Sequence, residues 1–200
     1  MTLRTTLLDA VNQLLSAVGG SAVVSLDTDN PEVATAVAIL EETTQVVLSE
    51  GWNFNTEKEY PFQPNQLNEI LVGDNILTIT TSRPKHYADY QIVERQGKLY
   101  DKLAHSYKFN ETIYCDVVWG FEFPDCPQPF KNYITAKASR IYASRLVGSK
   151  EQVELVSQDE AICRAACLEY DSSTSQVNMF SHQNGQDTYI SYIPLHTLAR

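Results

Sequence analysis

Apolar residues recur at three- and four-residue steps toward both ends of this chain and at two-residue steps through its middle. That pattern predicts helices flanking a sheet. Over residues 5–18, Leu7, Leu8, Val11, Leu14, Leu15 and Val18 make one apolar stripe, which Gly19-Gly20 ends. A second helix is expected over residues 31–50, with Asn30 as its cap, Pro31 at its first position and Glu32 in the positive first turn. It would bury Val33, Val37, Leu40, Val47 and Leu48, with Ala34 and Thr44 between them, and Gly51 suits the position just past its end.

From Phe54 to Trp119 the runs shorten and fill with Tyr, Ile, Val and Thr. Residues 76–80, 91–94 and 112–119 read as strands, and Gln96-Gly97-Lys98 as a tight hairpin turn. Four to six antiparallel strands are expected, because no helix separates them. Three prolines in residues 121–129 mark the exit from the sheet. A third helix follows from about Pro129 to Leu146, carrying Phe130, Tyr133, Ile134, Ala138, Ile141, Tyr142 and Leu146 on its apolar side. Ser149 with Gln152 has capping-box spacing. The fourth helix should reach about Tyr170 with Val153, Val156, Ile162, Cys163, Ala166, Cys167 and Tyr170 inward.

The predicted fold class is therefore α+β. It comprises an antiparallel four-helix bundle (residues 1–53 and 124–171), an inserted antiparallel β domain (54–123), and a polar linker with an extended C-terminal tail (172–200). Residues 188–195 alternate apolar and polar beyond that linker. Tyr189, Ile190, Tyr192 and Ile193 are thus expected to dock, either on this molecule or on a partner.

Composition narrows the function. At 43% hydrophobic and 20% charged, the chain has an ordinary globular balance. Its net charge of −10 argues against a protein built to grip a phosphate backbone. No apolar run is long enough to span a bilayer, and residues 1–21 lack the basic-then-apolar order of an export signal. A soluble protein without membrane insertion is expected.

Catalytic and metal signatures are missing. No Gly-rich phosphate loop and no histidine pair occurs; His86, His105, His182 and His196 stand apart. Asp27 and Asp29 lack the glycine and terminal glutamate of a calcium loop. Cys163 and Cys167 share a helix face and could supply half a zinc site with Cys115 and Cys126, but the paired spacing of structural zinc is absent, so core thiols are the better reading. Glu57 and Glu59, two apart in the first strand region, are the best carboxylate pair for glycoside hydrolysis among 25 acids. No catalytic residue and no cofactor is expected.

The last two helices differ in charge. Lys131, Lys137, Arg140, Arg145 and Lys150 are scattered around the third; Glu151, Glu154, Asp159, Glu160 and Glu169 follow on the fourth. Complementary surfaces within one molecule or between subunits would both account for this, and pairing between subunits is the favoured account.

Several stretches stand in order along the chain: Ile39-Leu40-Glu41, Ser49-Glu50-Gly51-Trp52-Asn53-Phe54-Asn55, Leu99-Tyr100-Asp101, Thr135-Ala136-Lys137-Ala138-Ser139-Arg140, Asp159-Glu160-Ala161 and Leu168-Glu169-Tyr170-Asp171. Together they resemble tail tubular protein A of short-tailed phages over residues 5–180, with residues 64–96 and 176–186 matching poorly. The resemblance implies a structural virion protein assembled in the host cytoplasm as a twelve-membered adaptor ring. One end of the ring would dock on the portal and the other on the tail nozzle. Genome DNA would pass through the bore without specific binding, and no catalysis or cofactor is implied. Lys137, Arg140, Arg145, Glu151, Glu154, Asp159 and Glu160, with Tyr189, Ile190, Tyr192 and Ile193 of the tail, are the expected interface residues. The alternative is a tail-associated glycan or peptidoglycan hydrolase.

Overall fold

The computed structural model describes residues 4–26, 29–81 and 90–175. Four helices and five strands follow one another as α1 (Leu7–Ala17), α2 (Pro31–Leu48), β1 (Thr56–Phe62), β2 (Ile76–Thr81), β3 (Ile92–Arg95), β4 (Lys98–Asp101), β5 (Ile113–Trp119), α3 (Gln128–Leu146) and α4 (Lys150–Thr174). The fold is mixed α and β, with antiparallel sheets.

Local chemistry sets the helix ends. Thr6 accepts from the Asp9 N–H while the Asp9 carboxylate accepts from the Thr6 N–H, a reciprocal cap at α1. Asn30 accepts from the Glu32 N–H at 3.0 Å ahead of Pro31, as its sequence position predicts. The expected capping box at α4 does not form. Ser149 makes no side-chain cap, and Gln152 instead donates across to the Ala17 carbonyl at the end of α1. The Gln152 side chain thus satisfies a carbonyl orphaned at a helix terminus instead of accepting the Ser149 N–H.

β1, β5 and β2 form one sheet in that order, and β3 and β4 form a hairpin. Gln96 and Gly97 both take positive φ (56° and 68°), the two-residue turn suited to the twist of a hairpin. Residues 70–72 run beside β4, with the Leu99 N–H donating to Ile70 O and the Val72 N–H to Gly97 O. The two sheets enclose Phe62, Ile70, Ile92, Leu99, Phe109, Ile113, Cys115 and Val117.

A second core belongs to the helices. α3 lies among the other three and buries Phe130, Tyr133, Ile134, Ala138 and Tyr142 against Val11, Leu14, Leu15, Leu40 and Leu48. On α2 the buried stripe also takes in Ala36 and Ile39, whereas Val37 sits half-buried. Leu146, expected inward, is exposed at the end of α3. α4 packs chiefly on α3, and only Cys167 of its 25 residues is fully buried. Ile162 and Ala166, predicted to face inward, face solvent, because a helix with one main neighbour covers only a narrow stripe.

Candidate functional site

The turn from α2 into β1 ties the two cores together. Gly51, at φ 75°, reverses the chain after α2, and its ordinary left-handed conformation is one that side chains rarely adopt. Trp52 then drops its ring against Phe130 (centroids 4.9 Å apart, edge to face) and donates its indole N–H to the Val47 carbonyl at 2.7 Å. Asn55, fully buried, donates from Nδ2 to both Leu48 O and Trp119 O at 2.9 Å, and its Oδ1 accepts the Trp52 N–H. One carboxamide thus pins the end of α2 to the end of β5.

The same turn holds α4. The Asn53 N–H donates to Asp171 Oδ1 at 2.8 Å, and Phe130 lies between Phe54 (4.4 Å) and Tyr170 (6.1 Å). Further up, Arg164 donates to the Tyr133 hydroxyl at 2.6 Å and reaches Glu50 at 3.1 Å, which Lys137 also approaches at 3.5 Å. Tyr133, by its hydrogen bond and then its charge, and after it Glu50 raise the Arg164 pKa and keep its charge fixed.

The basic side chains expected at an interface are therefore engaged inside the molecule. Lys137 pairs with Glu50, Arg140 with Glu160, and Arg145 with Glu42 at 3.2 Å. Lys131 is buried with its ammonium over the Phe123 ring. Of the acids, Glu160 is spent on Arg140, whereas Glu151, Glu154 and Asp159 are exposed.

What α4 leaves open is a broad face. At 100° per residue, Leu155 and Ile162 nearly superpose, with Asp159 and Ala166 beside them, while Ala165 and Ala161 continue round the helix to Leu168, roughly 120–140° away. Leu155 is 65% exposed, Ile162 69% and Leu168 52%. No other helix of the described residues shows so many large apolar side chains to water. The exposed strip of Leu155 and Ile162 marks a site of association.

Residues 8–177 match the tail tubular protein family. The chain belongs to that family. It is also 28% identical over 157 residues, spanning 76% of this chain and 80% of the relative, to tail tubular protein A of Klebsiella phage KP34. This tail tubular protein is accordingly a structural component of the phage tail, working among other tail components in the virion.

The hydrolase candidates do not form a site in this tail tubular protein. Glu57 and Glu59 lie exposed on the edge strand β1, and a bulge between Glu57 and Tyr60, with Glu59 at φ 55°, breaks the alternation that would put them on one face. The cleft of about 440 Å³ lies elsewhere, between α2 and the β2 and β5 ends, lined by Leu7, Leu40, Glu41, Asp74, Leu77 and Phe121.

Among the described residues no three His, Cys, Asp or Glu side chains are grouped to hold a metal. Cys115 sits in the sheet core, and Cys126 and Cys167 in the helical core. Burial pushes their thiols up to about 12, 11 and 12 respectively. Tyr189, Ile190, Tyr192 and Ile193 lie outside the described residues, as do His86, His182 and His196.

Sequence reasoning missed Asn55 as a structural anchor and Arg164 as the cation that joins Tyr133 to Glu50. For Asn55 a signal was present: a polar residue between Phe54 and a strand, in a stretch otherwise shaped for burial.

Proposed function

We propose that this tail tubular protein is the subunit of an adaptor ring, twelve copies around a bore, that joins the portal to the tail nozzle. Genome DNA leaves through that bore without being specifically bound. The uncovered outward face of α4, with Leu155 and Ile162, carries the reading: so much apolar surface on one helix needs a protein partner, and a ring of copies supplies one at every position. The reading is non-enzymatic. Within it, residues 1–53 and 124–171 act as one helical unit, a four-helix bundle, and residues 54–123 as an inserted β unit.

Glu151, Glu154 and Asp159 are the interface acids of this reading, and Lys137, Arg140, Arg145 and Glu160 brace the helices that present them. Tyr189, Ile190, Tyr192 and Ile193 extend the contact toward a neighbour or the portal. The net charge of −10 per copy repels DNA wherever it faces the bore, which favours passage over adhesion. Assembly takes place in the host cytoplasm before the tail is completed.

Negative-stain imaging of the purified protein, alone and mixed with portal rings, tests this. Class averages with twelve-fold symmetry, or an added collar on the portal, are expected. A chain that stays monomeric and leaves portal rings unaltered overturns it.

A further inference from the structure

The cations of α3 are occupied within the molecule by Glu50, Glu160 and Glu42, so the acidic and apolar face of α4 must find its complement elsewhere. Between residues 151 and 173 the sole basic residue is Arg164, and it turns to Tyr133 and Glu50. The outward face thus offers Leu155 and Ile162 flanked by Glu154 and Asp159, with no cation among them.

The β3–β4 hairpin presents the reverse. Arg95 and Lys98 stand directly opposite each other across the hairpin, an unfavourable placement for like charges. Strand alternation puts Val93 and Tyr100 on the same outer face, and Leu71, bridged to Lys98, joins them at 62% exposure. Arg95 lies 4.3 Å over the Tyr100 ring, which in turn meets Tyr107 at 4.8 Å. Glu69 satisfies Lys98 from the side at 2.6 Å, whereas Arg95 lies over an aromatic ring. The face is apolar and aromatic at its centre and cationic at its edge.

We infer that the outward face of α4 in one copy packs on the outer face of the β3–β4 hairpin of the next copy. This rests on the ring reading and specifies its contact. The two surfaces are different patches of the same chain, so the contact is heterologous, the kind that closes into a ring. Leu155 and Ile162 would lie against Leu71, Val93 and Tyr100, with Glu154 and Asp159 meeting Arg95 beside the Lys98–Glu69 pair.

Charge reversal tests it in the full chain, read by mass photometry and sedimentation velocity. E154K/D159K and R95E/K98E should each lose the assembly that the unaltered chain forms. An equimolar mixture of the two should regain it, because each variant's altered face then meets its neighbour's altered face in alternation. Circular dichroism establishes that each variant is folded. A disulfide between I162C and L71C copies, formed in the mixture and in neither variant alone, supports the same pairing.

Assembly by both reversed variants as efficient as by the unaltered chain overturns the pairing and leaves the ring reading standing. An unaltered chain that assembles neither alone nor on portal rings overturns both. If R95E/K98E assembles normally but loses retention of double-stranded DNA, the hairpin face belongs to nucleic acid and the pairing is wrong.

Discussion

The backbone N–H of Asn53 donates to Asp171 across 118 residues of sequence, joining the turn after α2 to the last turns of α4. Both residues lie in stretches that carry the family resemblance. Beside this contact Phe130 packs between Phe54, tilted against it, and Tyr170, edge to face.

Asp171→Ala should remove a charge-assisted hydrogen bond at a half-exposed position and cost about 1 kcal/mol. For a chain of this length that is a fall of roughly 2–4 °C in Tm. Asp171→Asn keeps an acceptor in place and should lose less. Thermal unfolding followed by circular dichroism compares the two. Equal losses would show that the acceptor geometry is irrelevant.

Asn55→Ala should be far more damaging. It strips partners from Leu48 O, Trp119 O and the Trp52 N–H in a buried site, and unsatisfied buried groups cost about 1–3 kcal/mol each. Urea unfolding should show a loss of about 3 kcal/mol or more. A change under 1 kcal/mol would mean that water replaces the carboxamide.

Gly51→Ala forces a side chain into a left-handed conformation and sets its Cβ 3.4 Å from Val118 Cγ2. The expected loss is about 1–2 kcal/mol. Gly97→Ala, at φ 68° with open space around it, carries the backbone cost without the contact. The difference between the two in chemical denaturation isolates the effect of Val118.

The thiols give a pH dependence whose sign is set by burial. Cys115 and Cys167 titrate at about 12 and Cys126 at about 11 in the folded chain, against 9.0 for an ordinary thiol. Above pH 9 the unfolded chain gives up these protons first, so the folded state binds more of them and stability falls as pH rises. Their contribution is whole below pH 9 and is lost on the way to pH 11–12. Denaturation midpoints measured from pH 8 to 10.5 should decline, and replacing Cys115 with Ala or Val should flatten the decline. At pH 7.5 a thiol reagent should modify the half-exposed Cys163 well before the other three; simultaneous modification of all four in the native protein would contradict their burial.

Sequence alone determined the elements whose causes are local. Two-residue alternation placed β2, β3 and β5, Asn30 before Pro31 set the start of α2, and Gln96-Gly97 made the hairpin turn, because each depends on backbone preferences within a few residues. The helical stripes of α1 and α3 were legible for the same reason: each is covered on more than one side, so nearly every apolar position on the stripe is used.

Tertiary structure decided the rest. A stripe of apolar residues does not say what covers it, and α4, resting mainly on α3, buries Cys167 while Leu155, Ile162 and Leu168 stay outside. Charge composition likewise does not say who pairs with whom; Glu42, Glu50 and Glu160 reach the cations of α3 because folding brings α2 and α4 beside it. Ser149 and Gln152 have the spacing of a local cap, yet the free carbonyl of Ala17, 135 residues away, takes the Gln152 amide. These choices turn on which groups become neighbours in space, and only the packed chain brings them together.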